Sequence, residues 1–108
     1  MRLVINGRFL GRRVSGVERY ALGITREALA RWPDVRLVVP RGTPVPSALQ
    51  HAEVQEVGRF TGPVWEQFEL PRALRRGELL LSPANVGPLS VADQVVVVHD
   101  LAVWKAPK

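Results

Sequence analysis

Short apolar runs alternate with segments of helical or turn-like composition along this chain of 108 residues. Apolar runs without in–out alternation are typical of strands that are buried on both faces of a parallel sheet. Helices between such strands form the crossovers of an α/β fold. The pattern therefore predicts a parallel α/β sheet of about five strands flanked by helices. The predicted strands are Arg2–Asn6, Val35–Val39, Val54–Val57, Leu79–Leu81 and Gln94–Val98, and the last is expected to be central because it is uniformly apolar.

The first predicted helix begins at about Gly16. Ser15 and Glu18 have the S-x-x-E spacing of a capping box, in which the hydroxyl and the carboxylate bind backbone N–H groups at the helix start. Pro33 is expected to end this helix, because proline cannot continue the backbone hydrogen bonding. A brief helical piece is predicted at Ser47–Gln50.

A second helical segment is predicted from about residue 62 to residue 77, with Pro71 expected to kink or divide it. Glu66 and Glu69 lie one turn apart on this segment. They are interpreted as a solvated face that pairs with Arg72 or Arg76, with a functional carboxylate pair as the less favoured alternative. The predicted inner face consists of Trp65, Phe68, Ala73 and Leu74.

The stretch NGRFLGRRVSGVERY, residues 6–20, joins the first strand to the first helix and combines three glycines with four arginines. Free N–H groups at a helix start, together with the positive end of the helix dipole, favour an anion there. The same glycines are also compatible with nothing more than a tight strand-to-helix connection. The candidate anion-binding residues are Gly11, Arg12, Arg13, Ser15 and Gly16.

This loop matches neither of two common nucleotide-binding signatures. Gly11 and Gly16 have the spacing of a Walker A motif, but Val17 and Glu18 occupy the positions that need Lys and Ser or Thr. The dinucleotide-binding pattern G-x-G-x-x-G is absent from the loop. Any phosphate contact here would therefore depend on the arginines and the helix-start amides.

Two further segments follow predicted strands and would reach the same edge of the sheet, where ligands bind in open parallel sheets. The polar loop Ser82–Leu89 contains Asn85, which is a further candidate binding residue. His99 and Asp100 come at the end of the last predicted strand. Histidine serves widely as a catalytic acid, base or hydrogen-bonding group. His99 and Asp100 are therefore the candidate catalytic residues, with a structural histidine as the alternative.

Composition and charge limit the possible functions. The absence of cysteine excludes disulfides and thiolate metal sites and fits a cytoplasmic protein. Two histidines without cysteine argue against a metal site. The formal charge is +5, and the excess lies in the first half of the chain, which contains the glycine loop. Either an arginine-rich proteome or a surface that faces phosphate, nucleotide or acidic lipid would explain it.

Four segments in order, NGRFLGRRVSGVERYA, VWEQFELPRALRRG, LLLSPANVGPL and VVVVHDLAVWKAP, carry a resemblance to a known family. They resemble the N-terminal part of a GT-B-fold glycosyltransferase of the family-4 type, which includes mannosyl- and rhamnosyl-transferases of bacterial surface polysaccharides. The resemblance implies a Rossmann-like N-terminal domain that binds mainly the acceptor and a C-terminal domain that binds the nucleotide-sugar donor. It also implies retaining transfer without a metal, with the nucleotide-sugar as co-substrate and no cofactor.

The resemblance further implies that the loop Gly11–Gly16 approaches the donor diphosphate or the acceptor. His99 would point toward the transferred sugar, with Asp100 beside it. The chain is expected to be an incomplete N-terminal domain, inactive alone, whose open sheet edge favours self-association. The glycan or lipid-linked acceptor would be met in the cytoplasm or at the inner membrane face. No nucleic acid is expected as a partner.

Two hypotheses from other functional classes are alternatives to the glycosyltransferase. The first is a non-catalytic α/β module that binds phosphate or a nucleotide, or a basic nucleic-acid binder. The second is a self-associating scaffold without a ligand.

Overall fold

Five strands form one parallel sheet in the computed structural model, which describes residues 2–11, 16–32, 34–50, 52–84 and 87–97. They are β1 (Arg2–Asn6), β2 (Arg36–Pro40), β3 (Glu53–Val57), β4 (Glu78–Ser82) and β5 (Gln94–Val96), in the order β3-β2-β1-β4-β5. Each strand overlaps its predicted range. The architecture is α/β with a Rossmann-like parallel sheet flanked by helices, which confirms the predicted fold class.

The strand order reverses direction at β1. The chain steps outward from β1 to β2 and β3, then returns across β1 to β4 and β5. In open parallel sheets such a switch point leaves a crevice beyond the carboxyl ends of the two strands where the direction changes. Ile5 of β1 lies opposite Leu81 of β4, and Ser82 lies opposite Val96 of β5. The carboxyl ends of β1, β4 and β5 are therefore neighbours.

The position of β5 contradicts the prediction of a central strand. β5 lies at the edge of the described sheet, and Val95 is 48% exposed. Pairing with β4 extends past the strand, because the N–H of Val97 donates to the carbonyl of Ser82 at 3.0 Å. A uniformly apolar run indicates that a strand can be covered on both faces. Its place in the order is set by the connections between strands.

The first helix, α1 (Gly16–Arg31), begins at the predicted residue. The hydroxyl of Thr25 donates to the carbonyl of Ala21 at 2.8 Å, so this buried polar group is satisfied inside the helix. Ser15, the predicted cap residue, and Pro33, the predicted stop residue, lie outside the described residues. A 3-10 turn at Ser47–Leu49 corresponds to the brief helical piece predicted there. The buried face of α1 consists of Ala21, Thr25, Ala28 and Leu29.

The second helix, α2, covers residues 62–73 and changes its hydrogen bonding halfway. It consists of an α-helical turn (Gly62–Val64), a π-helical stretch (Trp65–Glu69) and a second α-helical turn (Leu70–Ala73). The N–H of Leu70 donates to the carbonyl of Trp65, five residues earlier. Pro71 follows directly, and its ring would clash with the preceding turn of a regular α-helix. The predicted disturbance at Pro71 is therefore a π-helical stretch within a continuous helix.

The apolar core lies on both faces of the sheet. Successive residues of β1 enter different clusters, because Ile5 packs on the α1 face and Val4 packs on the α2 face. Trp65 is fully buried on the α2 face, where its indole N–H donates to the carbonyl of Val57 at 3.0 Å. The α2 face also holds Val38, Leu70 and Leu80, and the α1 face holds Phe9, Leu37, Val39 and Leu49.

The amino ends of the strands are held by buried charges. The guanidinium of Arg36 donates to Glu78 at 2.6 Å, to Gln55 at 2.5 Å and to the carbonyl of Ala73 at 3.0 Å. Both side chains of this ion pair are almost completely buried. The pair ties β2, β3 and β4 to the end of α2.

Across the described ranges, no helix has the length and apolarity that a membrane crossing requires.

Candidate functional site

Two buried polar side chains end neighbouring strands at the switch point. Asn6 is the last residue of β1, and Ser82 is the last residue of β4. The Asn6 amide donates from Nδ2 to Oγ of Ser82 at 3.2 Å, and both residues are buried. This contact places polar groups where a parallel sheet presents ligands to its carboxyl edge.

Glu66 and Arg8 complete a ring of hydrogen bonds around Asn6. Oε2 of Glu66 accepts from Nδ2 of Asn6 at 2.8 Å, and Oε1 accepts from Nη1 of Arg8 at 2.7 Å. Oδ1 of Asn6 accepts the backbone N–H of Arg8 at 3.1 Å. Asn6, Arg8, Glu66 and Ser82 are called the edge cluster below. It links the start of the glycine loop to β4 and to α2.

Local backbone structure explains how Arg8 reaches this position. β1 ends at Asn6 and passes directly into a 3-10 turn, Gly7–Gly11. Gly7 and Phe9 are buried, while Arg8 between them lies at the sheet edge. A Cβ on Gly7 would stand 2.8 Å from the carbonyl oxygen of Val38. Glycine is therefore required at the first residue of the turn, because the turn packs against the backbone of β2.

The π-helical stretch explains how Glu66 enters the sheet edge. Hydrogen bonds between residues five apart widen the turn, so that Trp65 and Leu70 lie on the same face of α2. Glu66 shares this inward face and is 2% exposed, whereas Phe68 is 66% exposed. The predicted inner position of Phe68 is thus wrong, and so is the interpretation of Glu66 as part of a solvated face.

The second acidic residue of this segment also has a different partner from the predicted one. The carboxylate of Glu69 accepts the backbone N–H groups of Arg59 and Phe60 at 2.9–3.0 Å. Glu69 therefore holds the loop between β3 and α2 in place. The sequence offered one indirect signal for both carboxylates, namely that Pro71 disturbs the helical period in which they occur.

Electrostatics favour a tightly held edge cluster. Glu66 and Arg8 form an ion pair whose carboxylate is almost fully buried and whose arginine side chain is 16% exposed. Removing one member of a buried pair leaves an uncompensated charge, which typically costs about 3–5 kcal/mol. The pair has no net charge, but it aligns a planar guanidinium, whose fork of N–H groups suits carboxylate and phosphate oxygens.

Two of the predicted site residues are described, and both border the edge cluster's loop. Gly11 ends the 3-10 turn and Gly16 begins α1, and both are exposed. A Cβ at either position would meet no described atom within 4 Å. The described packing therefore does not require glycine at these two positions. Arg12, Arg13, Ser15, Asn85, His99 and Asp100 lie outside the described residues, and their roles stay predictions.

An open apolar groove lies on the opposite, α1 face of the sheet. Its rim carries Glu27 and Arg31, which form an exposed ion pair with 3.6 Å between Oε1 and Nη2. Its walls include Tyr20, Ile24, Ala28, Trp32 and Leu81. Apolar walls offer little to an anionic ligand. The edge cluster, with its aligned polar groups, is the better candidate site.

The edge cluster offers a guanidinium and hydrogen-bonding side chains. Among the described residues, no group of three or more His, Cys, Asp or Glu side chains is arranged to hold a metal ion. The carboxylate of Glu66 is already engaged by two donors.

A scan against protein-family models, a search of curated proteins and a search of solved structures each find no match to this chain.

Proposed function

We propose that the chain forms the acceptor-side wall of the cleft of a retaining glycosyltransferase, which transfers a sugar from a nucleotide-sugar to a glycan or lipid-linked acceptor. The observation that carries the proposal is the adjacency of the carboxyl ends of β1, β4 and β5. The glycine loop, the loop with Asn85 and the segment with His99 each follow one of these strand ends. Ligands of parallel α/β sheets bind at this edge.

In this proposal each predicted site residue has a role suited to its chemistry. Arg12, Arg13 and the amides at the start of α1 contact anionic groups of the substrate. His99 donates a hydrogen bond to the sugar near the reacting carbon, and Asp100 orients His99 or binds a sugar hydroxyl. The chain acts together with a donor-binding domain, in the cytoplasm or at the inner membrane face. The edge that β5 forms in the described sheet is the proposed route of self-association.

The first experiment is an NMR titration of the chain with UDP, GDP and their sugar conjugates, at two salt concentrations. Saturable amide shifts confined to Gly7–Arg19 and to the residues around His99 are expected. Shifts that spread over the exposed arginines of α1 and vanish with added salt would instead indicate non-specific attraction of anions. A folded spectrum without any shift would count against a nucleotide contact at this wall.

The second experiment tests catalysis in a polypeptide that also contains the donor-binding domain. His99→Ala is expected to lower turnover strongly while leaving the unfolding temperature nearly unchanged. His51→Ala is the matched control, because His51 has no predicted role and follows no strand end. Equal turnover of the wild type and the His99 variant would refute the catalytic role of His99.

A non-catalytic phosphate-binding module is the second candidate, and the aligned guanidinium of Arg8 favours it. Such a module would bind phosphate-containing ligands at the same edge without any transfer of sugar. It is distinguished by saturable binding of UDP or pyrophosphate in a polypeptide that shows no transfer with any donor tested. A nucleic-acid binder would add a steep dependence of affinity on salt.

A further inference from the structure

The described residues include two buried arginine–glutamate pairs on the α2 face of the sheet, one at each end of the strands. At the amino ends, Arg36 is completely buried and donates to three acceptors, of which Glu78 is one. At the carboxyl ends, Arg8 remains 16% exposed. Among the described residues, Glu66 is the acceptor that its guanidinium contacts. The two pairs thus differ in how far their arginines are enclosed.

The pair of Arg36 and Glu78 is explained by its structural role alone. The Arg36 guanidinium connects three strands and the end of α2 through three hydrogen bonds from Nη1 and Nη2, while its buried Nε has no hydrogen-bond partner among the described residues. The pair of Arg8 and Glu66 connects fewer elements of the fold among the described residues. Arg8 has five N–H donors, and Glu66 accepts one of them, from Nη1. The remaining donors belong to a guanidinium at the carboxyl edge of the sheet, which is where ligands of open parallel sheets generally bind.

Buried ion pairs are costly to desolvate, and apolar residues of similar size often replace them without loss of stability. An arginine held in this way is useful where a planar group must meet an anion in one orientation. Glu66 and the Asn6 side chain fix Arg8 through its guanidinium and its backbone N–H. The π-helical stretch that carries Glu66 is a feature that occurs frequently at functional sites.

We propose that Arg8 is an anion-binding residue whose guanidinium grips a phosphate or diphosphate group at the carboxyl edge of β1, with Glu66 as the positioning residue behind it. The inference deepens the proposed function, because the phosphate would belong to the substrate bound at that edge. Gly11 and Gly16 border the same loop, and a Cβ at either position would meet no described atom within 4 Å. Because a guanidinium fork suits phosphate oxygens, the ligand class is a phosphate ester or a diphosphate.

The test is a titration of the 108-residue chain with inorganic pyrophosphate, followed by NMR of the backbone amides and of the arginine side-chain Nε–H groups. Saturable binding that shifts the Arg8 Nε–H signal is expected. Arg8→Gln should weaken the affinity about tenfold or more, the usual loss when a charge-assisted hydrogen bond is removed. Arg26→Gln, on the exposed side of α1, removes the same charge and should leave the affinity within about twofold.

Arg8→Lys guards against a variant that fails to fold. It keeps a cation that can pair with Glu66 but lacks the planar fork, so it should bind pyrophosphate with an affinity between those of the wild type and Arg8→Gln. The inference is overturned if pyrophosphate does not bind, or if Arg8→Gln binds as the wild type does. It is equally overturned if Arg26→Gln weakens binding as much as Arg8→Gln, because the effect would then be one of net charge.

The same measurements separate this inference from the proposed function. If pyrophosphate binding depends on Arg8 while sugar nucleotides cause no saturable shifts, the sugar-transfer proposal fails and the phosphate site stands. If sugar nucleotides shift the glycine loop equally in the wild type and in Arg8→Gln, the role of Arg8 fails and the transferase proposal keeps its support.

Discussion

Replacing Glu66 by Gln tests whether the edge cluster is as tightly coupled as its geometry indicates. The two carboxylate oxygens of Glu66 each accept one donor, from Asn6 and from Arg8. A glutamine of the same size offers one acceptor and one donor in their place. One of the two partners would then face another donor, and the guanidinium would lose its counter-charge in a site that is almost fully buried.

The expected cost follows from these losses. Losing a charge-assisted hydrogen bond typically costs about 1.5–3 kcal/mol, and breaking a fully buried pair costs about 3–5 kcal/mol. Arg8 is partly exposed, so water can replace some of the lost contact. We therefore expect Glu66→Gln to lower the free energy of unfolding by about 2–3 kcal/mol. Domains of this size have about 5–15 kcal/mol in total, so the loss is a large fraction.

The assay is urea unfolding of the chain at neutral pH, monitored by tryptophan fluorescence, because Trp65 lies beside Glu66 and is fully buried. The matched control is Glu27→Gln, which removes the same charge from an exposed ion pair with Arg31. An exposed pair contributes about 0–1 kcal/mol. A free energy of unfolding for Glu66→Gln within about 0.5 kcal/mol of the control would refute the reasoning.

A double-mutant cycle tests whether Arg8 and Glu66 stabilise the fold through their contact with each other. Arg8→Gln alone leaves the carboxylate of Glu66 buried without its cation. Glu66→Gln alone leaves the guanidinium of Arg8 without its carboxylate. The double variant leaves neither charge. Its loss should be smaller than the sum of the two single losses by about 1–3 kcal/mol, the range for residues in direct contact. Additive losses would mean that the two side chains stabilise the fold independently.

Three further predictions concern the backbone and the core. Gly7→Ala should destabilise the chain by about 1–3 kcal/mol, because its Cβ would be forced against β2, and thermal unfolding by circular dichroism measures this. Arg36→Met should cost about 3–5 kcal/mol, and adding Glu78→Met should restore most of the loss, since neither charge is then left alone; urea unfolding of both variants decides it. Phe68→Ser should change stability by no more than about 0.5 kcal/mol, whereas Leu70→Ala should cost about 2–5 kcal/mol, and the reverse order would contradict the π-helical face.

Much of the fold follows from local patterns in the sequence. β1 and β2 were predictable because their residues are apolar in succession, and the structure buries these strands between two clusters. The start of α1 was predictable from the S-x-x-E spacing of Ser15 and Glu18. That Asn6 and Ser82 would reach the same edge was also predictable, because each lies at the carboxyl end of a parallel strand, and their hydrogen bond confirms it.

The edge cluster itself could not be predicted, because helical periodicity misplaced its central residue. A regular 3.6-residue period turns Phe68 inward and Glu66 outward. The π-helical stretch before Pro71 reverses these two positions, and its occurrence depends on the packing of Trp65 and Leu70 against the sheet. Arg8 was visible among the arginines of the loop, but nothing in the sequence indicated which carboxylate, 58 positions away, would hold it.

The sequence by itself determined the parallel α/β class, the segments that become strands and the edge at which polar loops gather, because each depends on composition and spacing within a few residues. Only the tertiary structure decided the strand order that leaves β5 at the described edge, and the contacts that join Arg8 and Asn6 to Glu66 and Asn6 to Ser82. Those features depend on which distant segments pack together. That choice is made by the free energy of the whole chain, and no local pattern contains it.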